Sequence, residues 1–536
     1  MSRALAALGA IVLAGPVWST WRPAPRDWRT GAVCYEVFVR SFYDSDGDGI
    51  GDLNGLRQKL DYINDGDPRT RADLGARCVW LMPVAESPSY HGYDVTDYYR
   101  VDSDYGTNDD FKRLAVEAHR RGIRLLVDLV LNHVSSEHPF FQEALRDPAS
   151  PYRAWFRWSD TSRGQNWHRS PVRDEYYYGF FWSGMPDLNY ETPAVLDEAK
   201  SIARFWIEEM GADGFRLDAV RHLVEEGGLV ANAPGTHRVL REFGAYLRRV
   251  APSAFTIGEV WDSTGVLLRY YPDQLDAYFA FEVSDAILEA VRGGAAGAWV
   301  APVLRLQEAV PAERWAPFLR NHDQPRTLTV LGGDVARAKL AATLLLTLPG
   351  LPFVYYGEEI GMTGDKPDPR LRTPMHWRRA PAAGFTRGTP WAPLQPDSFT
   401  ANVEAQETEP GSLLHRYRRL IHLRAEHAAL ASGELVPLGA TADAVAAYLR
   451  IDRSGEGAGA GAPAVLVITN LGAVELEGVA LSSPHRVLGP GRYVPRALLG
   501  GPEAAELRVG PDGRIRGYVP LPRLAPLEAY VFQLGQ

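Results

Sequence analysis

Short apolar or β-branched runs alternate with longer segments whose apolar residues recur every three or four positions along most of the chain. Runs of the first kind fit strands buried on both faces, and segments of the second kind fit helices with one packed face. Eight strands are predicted: Val33–Phe42, Arg77–Val84, Ile123–Val130, Gly214–Val220, Phe255–Val260, Ala277–Phe281, Pro317–Asn321 and Pro352–Tyr356. Helices such as Asn108–Arg121, Pro193–Met210 and Thr236–Val250 fall between them, with Gly122 and Gly211 as C-terminal stops. Eight such units imply an α/β fold, a (β/α)8 barrel, whose chemistry sits at the C-terminal ends of its strands.

Two stretches break the pattern. Residues 134–190 are rich in Trp, Tyr, Arg and Pro and far exceed an ordinary strand-to-helix loop, so they read as an inserted subdomain beside the cleft. After a helix at Leu413–Leu430, short strands with Gly/Pro turns take over: Val445–Ile451, Ala464–Thr469, Gly478–Leu481 and Ala529–Leu534. Residues 431–536 therefore read as an antiparallel β-sandwich domain, with Gly455–Pro463 as a hairpin tip. The barrel is assigned to 20–133 and 191–430. Residues 1–19 look like a signal peptide: Arg3, an apolar segment Ala4–Ala14, and cleavage after Ser19. The expectation is a secreted protein, extracellular or periplasmic.

Composition narrows the partners. The chain has 536 residues and a formal net charge of -9, with no basic footprint for nucleic acid and no apolar run that spans a bilayer. A monomer acting on a neutral or polymeric substrate fits better than nucleic acid or membrane. Cys34 and Cys78, the two cysteines, each sit in an apolar run and read as buried free thiols rather than a disulfide.

Acidic residues stand where the predicted strands end. Gly214-Phe-Arg-Leu-Asp218 closes the fourth and Ile257-Gly-Glu259 the fifth, so neighbouring strands supply two carboxylates. Glycoside hydrolysis with retention needs two carboxylates about 5–5.5 Å apart, one to attack the anomeric carbon and one to protonate the leaving oxygen. Arg216 lies two residues before Asp218 on the same strand face, where its fixed cation favours the ionised nucleophile. A dry wall at Val260 and Trp261 would favour a protonated Glu259. Tyr90-His91-Gly92-Tyr93-Asp94 follows the second strand, and Tyr93 offers a ring face to a pyranose. Asp44, Asp46, Asp48 and Asp52 alternate with glycines after the first strand, a hard-oxygen pattern suited to Ca²⁺. This loop is no EF-hand, because Gly55 occupies the twelfth position.

With Asp128–His133, Gly214–His222, Gly258–Trp261, Phe318–Asp323 and Met185–Asn189 in order, the chain resembles the α-amylase family, glycoside hydrolase family 13. The resemblance implies Asp218 as nucleophile, Glu259 as acid/base and Asp323 as the carboxylate that holds sugar hydroxyls. It implies sugar contacts from His91, Tyr93, Asp94, His133, Arg216, Arg221, His222 and His322. It also implies a structural Ca²⁺ on Asp44, Asp46, Asp48, Asp52 and the Ile50 carbonyl, and a second on Asn132, Asp187 and the His222 carbonyl. Tyr90 stands where exo-acting oligo-1,6-glucosidases carry an acid, and Ala219 where α-1,6-specific relatives carry Val. The first favours endo cleavage and the second α-1,4 bonds, which together point to starch, glycogen and maltooligosaccharides as substrates. Met185–Asn189 resembles a group between oligo-1,6-glucosidases and neopullulanases, which keeps exo-glucosidase, cyclomaltodextrinase and glucanotransferase activities as alternatives. Non-catalytic barrels that partner membrane transporters are disfavoured, since they lose the acids that this chain keeps.

Overall fold

A computed structural model describes residues 28–453 and 463–535. The expected signal peptide and most of the Gly455–Pro463 tract lie outside the described residues. Eight parallel strands form the centre: β1 (Cys34–Val37), β2 (Cys78–Leu81), β3 (Arg124–Leu129), β4 (Gly214–Leu217), β5 (Phe255–Gly258), β6 (Ala277–Phe279), β7 (Trp315–Ala316) and β8 (Phe353–Tyr355). Their order is β7-β6-β5-β4-β3-β2-β1-β8. Two backbone bonds of 2.9 Å, from Leu351 N–H to the Trp315 carbonyl and from Phe353 N–H to the Pro317 carbonyl, join the ends of the row. The result is the nearly closed (β/α)8 barrel that the pattern predicts.

β7 is shorter and earlier than expected, ending at Ala316 instead of spanning Pro317–Asn321. Pro317 has no N–H for the ladder, so Phe318–Asp323 leaves the sheet and becomes a loop at the strand's C-terminal end.

Alternation along each strand sorts residues between two cores. Trp80, Leu126, Ile257, Phe279 and Phe353 fill the barrel interior, whereas Val79, Leu81, Leu125 and Val127 join the larger core under the helices. Cys34 and Cys78 are register partners on β1 and β2, 4.3 Å apart at Cα, and form a disulfide inside the barrel. The expectation of two free thiols is thereby overturned. An apolar run shows that each sulfur is buried, but only the pairing of two strands shows that they meet.

The helices close between strands much as read: Asn108–Arg120, Pro193–Glu208 and Pro234–Val250. Thr107 and Asp110 form a reciprocal cap on the first of these. The inserted segment contains helix Pro139–Arg146 and a three-stranded sheet of Trp158–Ser159, Tyr176–Tyr178 and Trp167–Arg169. Its core is aromatic, with Phe141 packed on Phe156, Trp158 and Tyr177. Pairing of His133 with Asp187 ties this segment to the end of β3.

The C-terminal domain is built on a seven-stranded antiparallel sheet. Val445–Ile451 appears as predicted, and Ala464–Asn470 and Ala529–Gly535 extend the predicted runs by one residue each. Glu434–Ala440, Gly491–Leu499 and Leu507–Val509 were not anticipated, and the predicted strand Gly478–Leu481 is mostly loop. One face of the sheet (Ala446, Tyr448, Val465, Val467) packs into the barrel's core, and the other (Ala447, Leu449, Leu466, Ile468) builds the domain's own core. Among the described residues, no helix is long and apolar enough to cross a membrane.

Candidate active site

The barrel interior changes character from bottom to top. Leu126 and Asp128 alternate onto the same side of β3, and Asp128 is the register partner of Arg216 on β4. Apolar residues thus give way to charge where the strands end. β4 begins at Gly214, with φ +156°, where a Cβ would stand 1.9 Å from the Phe255 carbonyl oxygen. Only glycine allows β4 to approach β5 that closely.

Arg216 is 1 % exposed and organises three carboxylates. Its Nη1 donates to Asp218 Oδ1 at 2.7 Å and to Asp128 Oδ1 at 2.9 Å, and its Nη2 donates to Glu259 Oε2 at 2.9 Å. Asp218 and Glu259 are therefore held side by side by nitrogens of one guanidinium. Ala219, directly after Asp218, takes the left-handed conformation with φ 45° and donates its N–H to Glu259 Oε2 at 3.0 Å. A left-handed alanine costs about 1 kcal/mol, and here that conformation places both acids.

Burial raises the pKa of Glu259 above the ordinary glutamate value, with Arg216 pulling the other way. Asp218 shows the same contest, and burial again outweighs Arg216. Asp128 is pushed up to about 7 by burial, although Arg216 opposes the rise. Its second oxygen accepts from Trp80 Nε1 at 3.2 Å and Tyr93 Oη at 3.0 Å.

Asp323 follows β7 and behaves differently. Burial acts to raise its pKa, but His322 and Arg372 beside it hold the carboxyl well below the usual range. Arg372 Nη2 donates to Asp323 Oδ1 at 2.8 Å, and His322 Nε2 lies 3.2 Å from Oδ2. His322 is fully buried; burial works against its proton, yet Asp323 and Glu36 raise its pKa to about 9. Nδ1 of the imidazolium donates to Glu36 Oε1 at 2.6 Å.

Above these groups lies a cleft of about 820 Å³. Asp218, Glu259 and Asp323 reach it, as do His91, Tyr93, His133, Arg221 and His222 of the predicted contacts. Tyr93 is nearly buried, one ring face stacked on His322 with centroids 5.5 Å apart. His133 donates from Nε2 to the Tyr93 carbonyl at 3.1 Å, and burial lowers its pKa to about 4. His222 donates from Nδ1 to the Val230 carbonyl at 2.7 Å and stacks on Phe180. Asp94, Arg216 and His322 do not line the cleft. Asp94 accepts from Ser87 and Ser89 behind His91, while Arg216 and His322 support the carboxylates from below.

Trp261 is not the dry wall anticipated from its position. It is 46 % exposed, stacks on Phe281 and faces the cleft, as do Phe181 and Trp182 at 46 % and 52 %. The sequence reading missed Phe180–Trp182, although three consecutive aromatics in a polar insertion signal a platform. It also missed Glu36, an acid inside the apolar run of β1. Lys366, Asp368 and Arg372 reach the cleft from an irregular loop after β8, where no periodicity marked them.

The expected cation sites differ in make-up. Carboxylate oxygens of Asp44, Asp46 and Asp48 lie within 4.8 Å of one another. Gly47 and Gly49 donate N–H groups to Asp44 at 2.6 and 2.8 Å, and Ile50 donates its N–H to Asp48 at 2.7 Å. Three hard oxygen donors in so small a space fit Ca²⁺. Asp52 instead accepts from Ser45 N at 2.7 Å and Gly55 N at 2.8 Å, capping helix Leu53–Gln58. At the second site Asn132 Oδ1, Asp187 Oδ2 and Glu225 Oε1 are buried without hydrogen-bond partners among the described residues. Burial, followed by the charge of Glu225, raises Asp187 well above its ordinary range. Buried oxygens without donors suit an oxygen-ligated cation, and Glu225 is a donor the sequence reading overlooked.

Paired carboxylates on adjacent strand ends of a (β/α)8 barrel, under an aromatic-walled cleft, define a glycoside-cleaving barrel enzyme. Comparison with known proteins makes the class specific. The α-amylase catalytic domain family matches residues 36–433, and the chain belongs to that family. α-Amylase 3 of Dictyoglomus thermophilum is 40% identical over 419 residues, covering 76% of this chain and 80% of the relative. The trehalose synthase/amylase TreS of Mycolicibacterium smegmatis is 36% identical over 515 residues, covering 84% and 85%. Among solved structures, the α-amylase from H. orenii has a TM-score of 0.78 and 36% identity, covering 95% of this chain and 100% of that one.

Proposed function

We propose that the chain is a retaining, endo-acting hydrolase of α-1,4-glucosidic bonds, an α-amylase acting on starch, glycogen and maltooligosaccharides. What supports the two-acid chemistry above all is the single guanidinium of Arg216 holding Asp218 and Glu259 together beneath the cleft, while endo action and the α-1,4 linkage rest on Tyr90 and Ala219. Asp218 attacks the anomeric carbon as its bond to the leaving oxygen breaks, and Glu259 passes its proton to that oxygen. A glycosyl ester on Asp218 results. Ionised Glu259 then takes a proton from water, the water oxygen displaces Asp218 from the anomeric carbon, and both acids are restored. Burial lets Glu259 carry its proton; it pushes Asp218 the same way, and the shared contact with Arg216 opposes the rise at both acids. Asp323, kept ionised by His322 and Arg372, is suited to accept from sugar hydroxyls.

Ca²⁺ in this reading is structural, held by Asp44, Asp46 and Asp48 and by Asn132, Asp187 and Glu225, with no part in bond cleavage. Export is supported by the signal-peptide-like run of residues 1–19 and by the Cys34–Cys78 disulfide, which suits an oxidising compartment. A second reading, exo action or glucanotransfer, is favoured by Lys366, Asp368 and Arg372, which bring charge to the cleft beside His91 and Asp323. Maltoheptaose blocked at its non-reducing end separates the two. Continued internal cleavage with free reducing products supports endo hydrolysis; resistance, or mainly transfer products, replaces it with the second reading.

A further inference from the structure

A cavity of about 530 Å³ opens away from the cleft, between helix Leu413–Glu426 and strand Gly491–Leu499 of the C-terminal domain. His415, Arg416, Arg419 and His422 come to one face of this helix because residues three, four and seven apart align. Arg496 lines the cavity from the strand and Arg71 from a loop preceding β2. Glu426 is the only carboxylate lining it among the described residues, and it is paired with Arg71. Positive charge is therefore in excess.

The guanidiniums are only partly used. Arg419 spends Nε and Nη2 on the Leu498 carbonyl and has no carboxylate partner among the described residues. Arg416 donates from Nη2 to Glu528 at 3.1 Å, while its Nη1 is buried without an acceptor. Arg496 is exposed, and among the described residues no hydrogen bond or ion pair engages its side chain. Lys339 adds another cation at the rim, donating to the Gly411 carbonyl. A neutral sugar would want an aromatic platform, and among the described residues no Trp, Tyr or Phe lines the cavity; a cation would be repelled.

We propose that this cavity binds a phosphate-type oxyanion, either the free ion or a phosphate monoester. Guanidinium forks match the paired oxygens of phosphate, and an anion there would supply the acceptor that Arg416 lacks and offset the excess charge. None of these residues lines the catalytic cleft, so occupancy is separable from turnover.

The test is calorimetric titration of the full chain, at low ionic strength, with inorganic phosphate, glucose 6-phosphate and glucose. Saturable binding of both anions and none of glucose is expected. Arg496→Glu and Arg416→Gln should each weaken the anions by about tenfold or more while leaving maltoheptaose turnover unchanged. Tighter binding of the ester than of the free ion assigns the site to a monoester, and equal binding assigns it to phosphate itself. No saturable heat with either anion, or wild-type affinity in both variants, would overturn the proposal.

Discussion

Glu259→Gln isolates the proton from everything else that Glu259 does. Glutamine has nearly the same size, and its Oε1 can still accept from Arg216 Nη2 and Ala219 N, which stand 2.9 and 3.0 Å from the carboxylate. Only the transferable proton is lost. General acid catalysis contributes roughly 10²–10⁴-fold, or about 3–5 kcal/mol of barrier, so turnover of maltoheptaose should fall by that factor. Glucan binding should persist, because no cleft contact has been removed. A substrate whose leaving group needs no proton sharpens the assay. With α-maltosyl fluoride the variant should still form the ester on Asp218, giving a burst of fluoride equal to the enzyme present and a glycosylated protein detectable by mass. The second step then stalls for want of a base, and azide, which needs none, should restore it. Wild-type turnover of maltoheptaose by this variant, or no fluoride burst, would refute the acid/base role.

Three further outcomes follow from the geometry. Replacing Cys34 and Cys78 together by alanine removes a cross-link between residues 44 apart, worth about 4 kcal/mol by the chain-entropy estimate; unchanged denaturant unfolding would contradict it. His322 has a pKa of about 9 in the folded protein against about 6.5 unfolded, so its proton stabilises the fold below pH 6.5 and the contribution fades as pH rises through 9. The thermal midpoint of His322→Gln should accordingly trail the wild type most near pH 6 and least above pH 9, and a constant gap would count against this. Chelation should lower the thermal midpoint and added Ca²⁺ should restore it; Glu225→Gln should shrink that response if its buried oxygen is a ligand, and a midpoint indifferent to chelator would remove calcium from the account.

Much of the architecture was legible because it is written in neighbouring residues. Strand and helix periods marked seven of the eight staves, and polar residues at strand ends marked Asp218, Glu259 and Asp323. Pro317 was the clearest signal misread: it ends β7 where the apolar pattern had seemed to begin it. In the C-terminal domain the evenly apolar Val445–Ile451 was plain, whereas Gly491–Leu499 alternates with arginines and a proline and was passed over.

By itself the sequence determined which segments are staves, which carry acids and where the chain departs into inserted and appended domains, since each depends on spacing within a few residues. Only the tertiary structure decided who meets whom. It joined Cys34 to Cys78 across β1 and β2, committed Asp52 to a helix cap, buried His322 between Glu36 and Asp323, and set Glu225 beside Asp187. These are contacts between side chains far apart along the chain, fixed by strand register and loop packing. Local periodicity says which way a residue faces, not what it finds there.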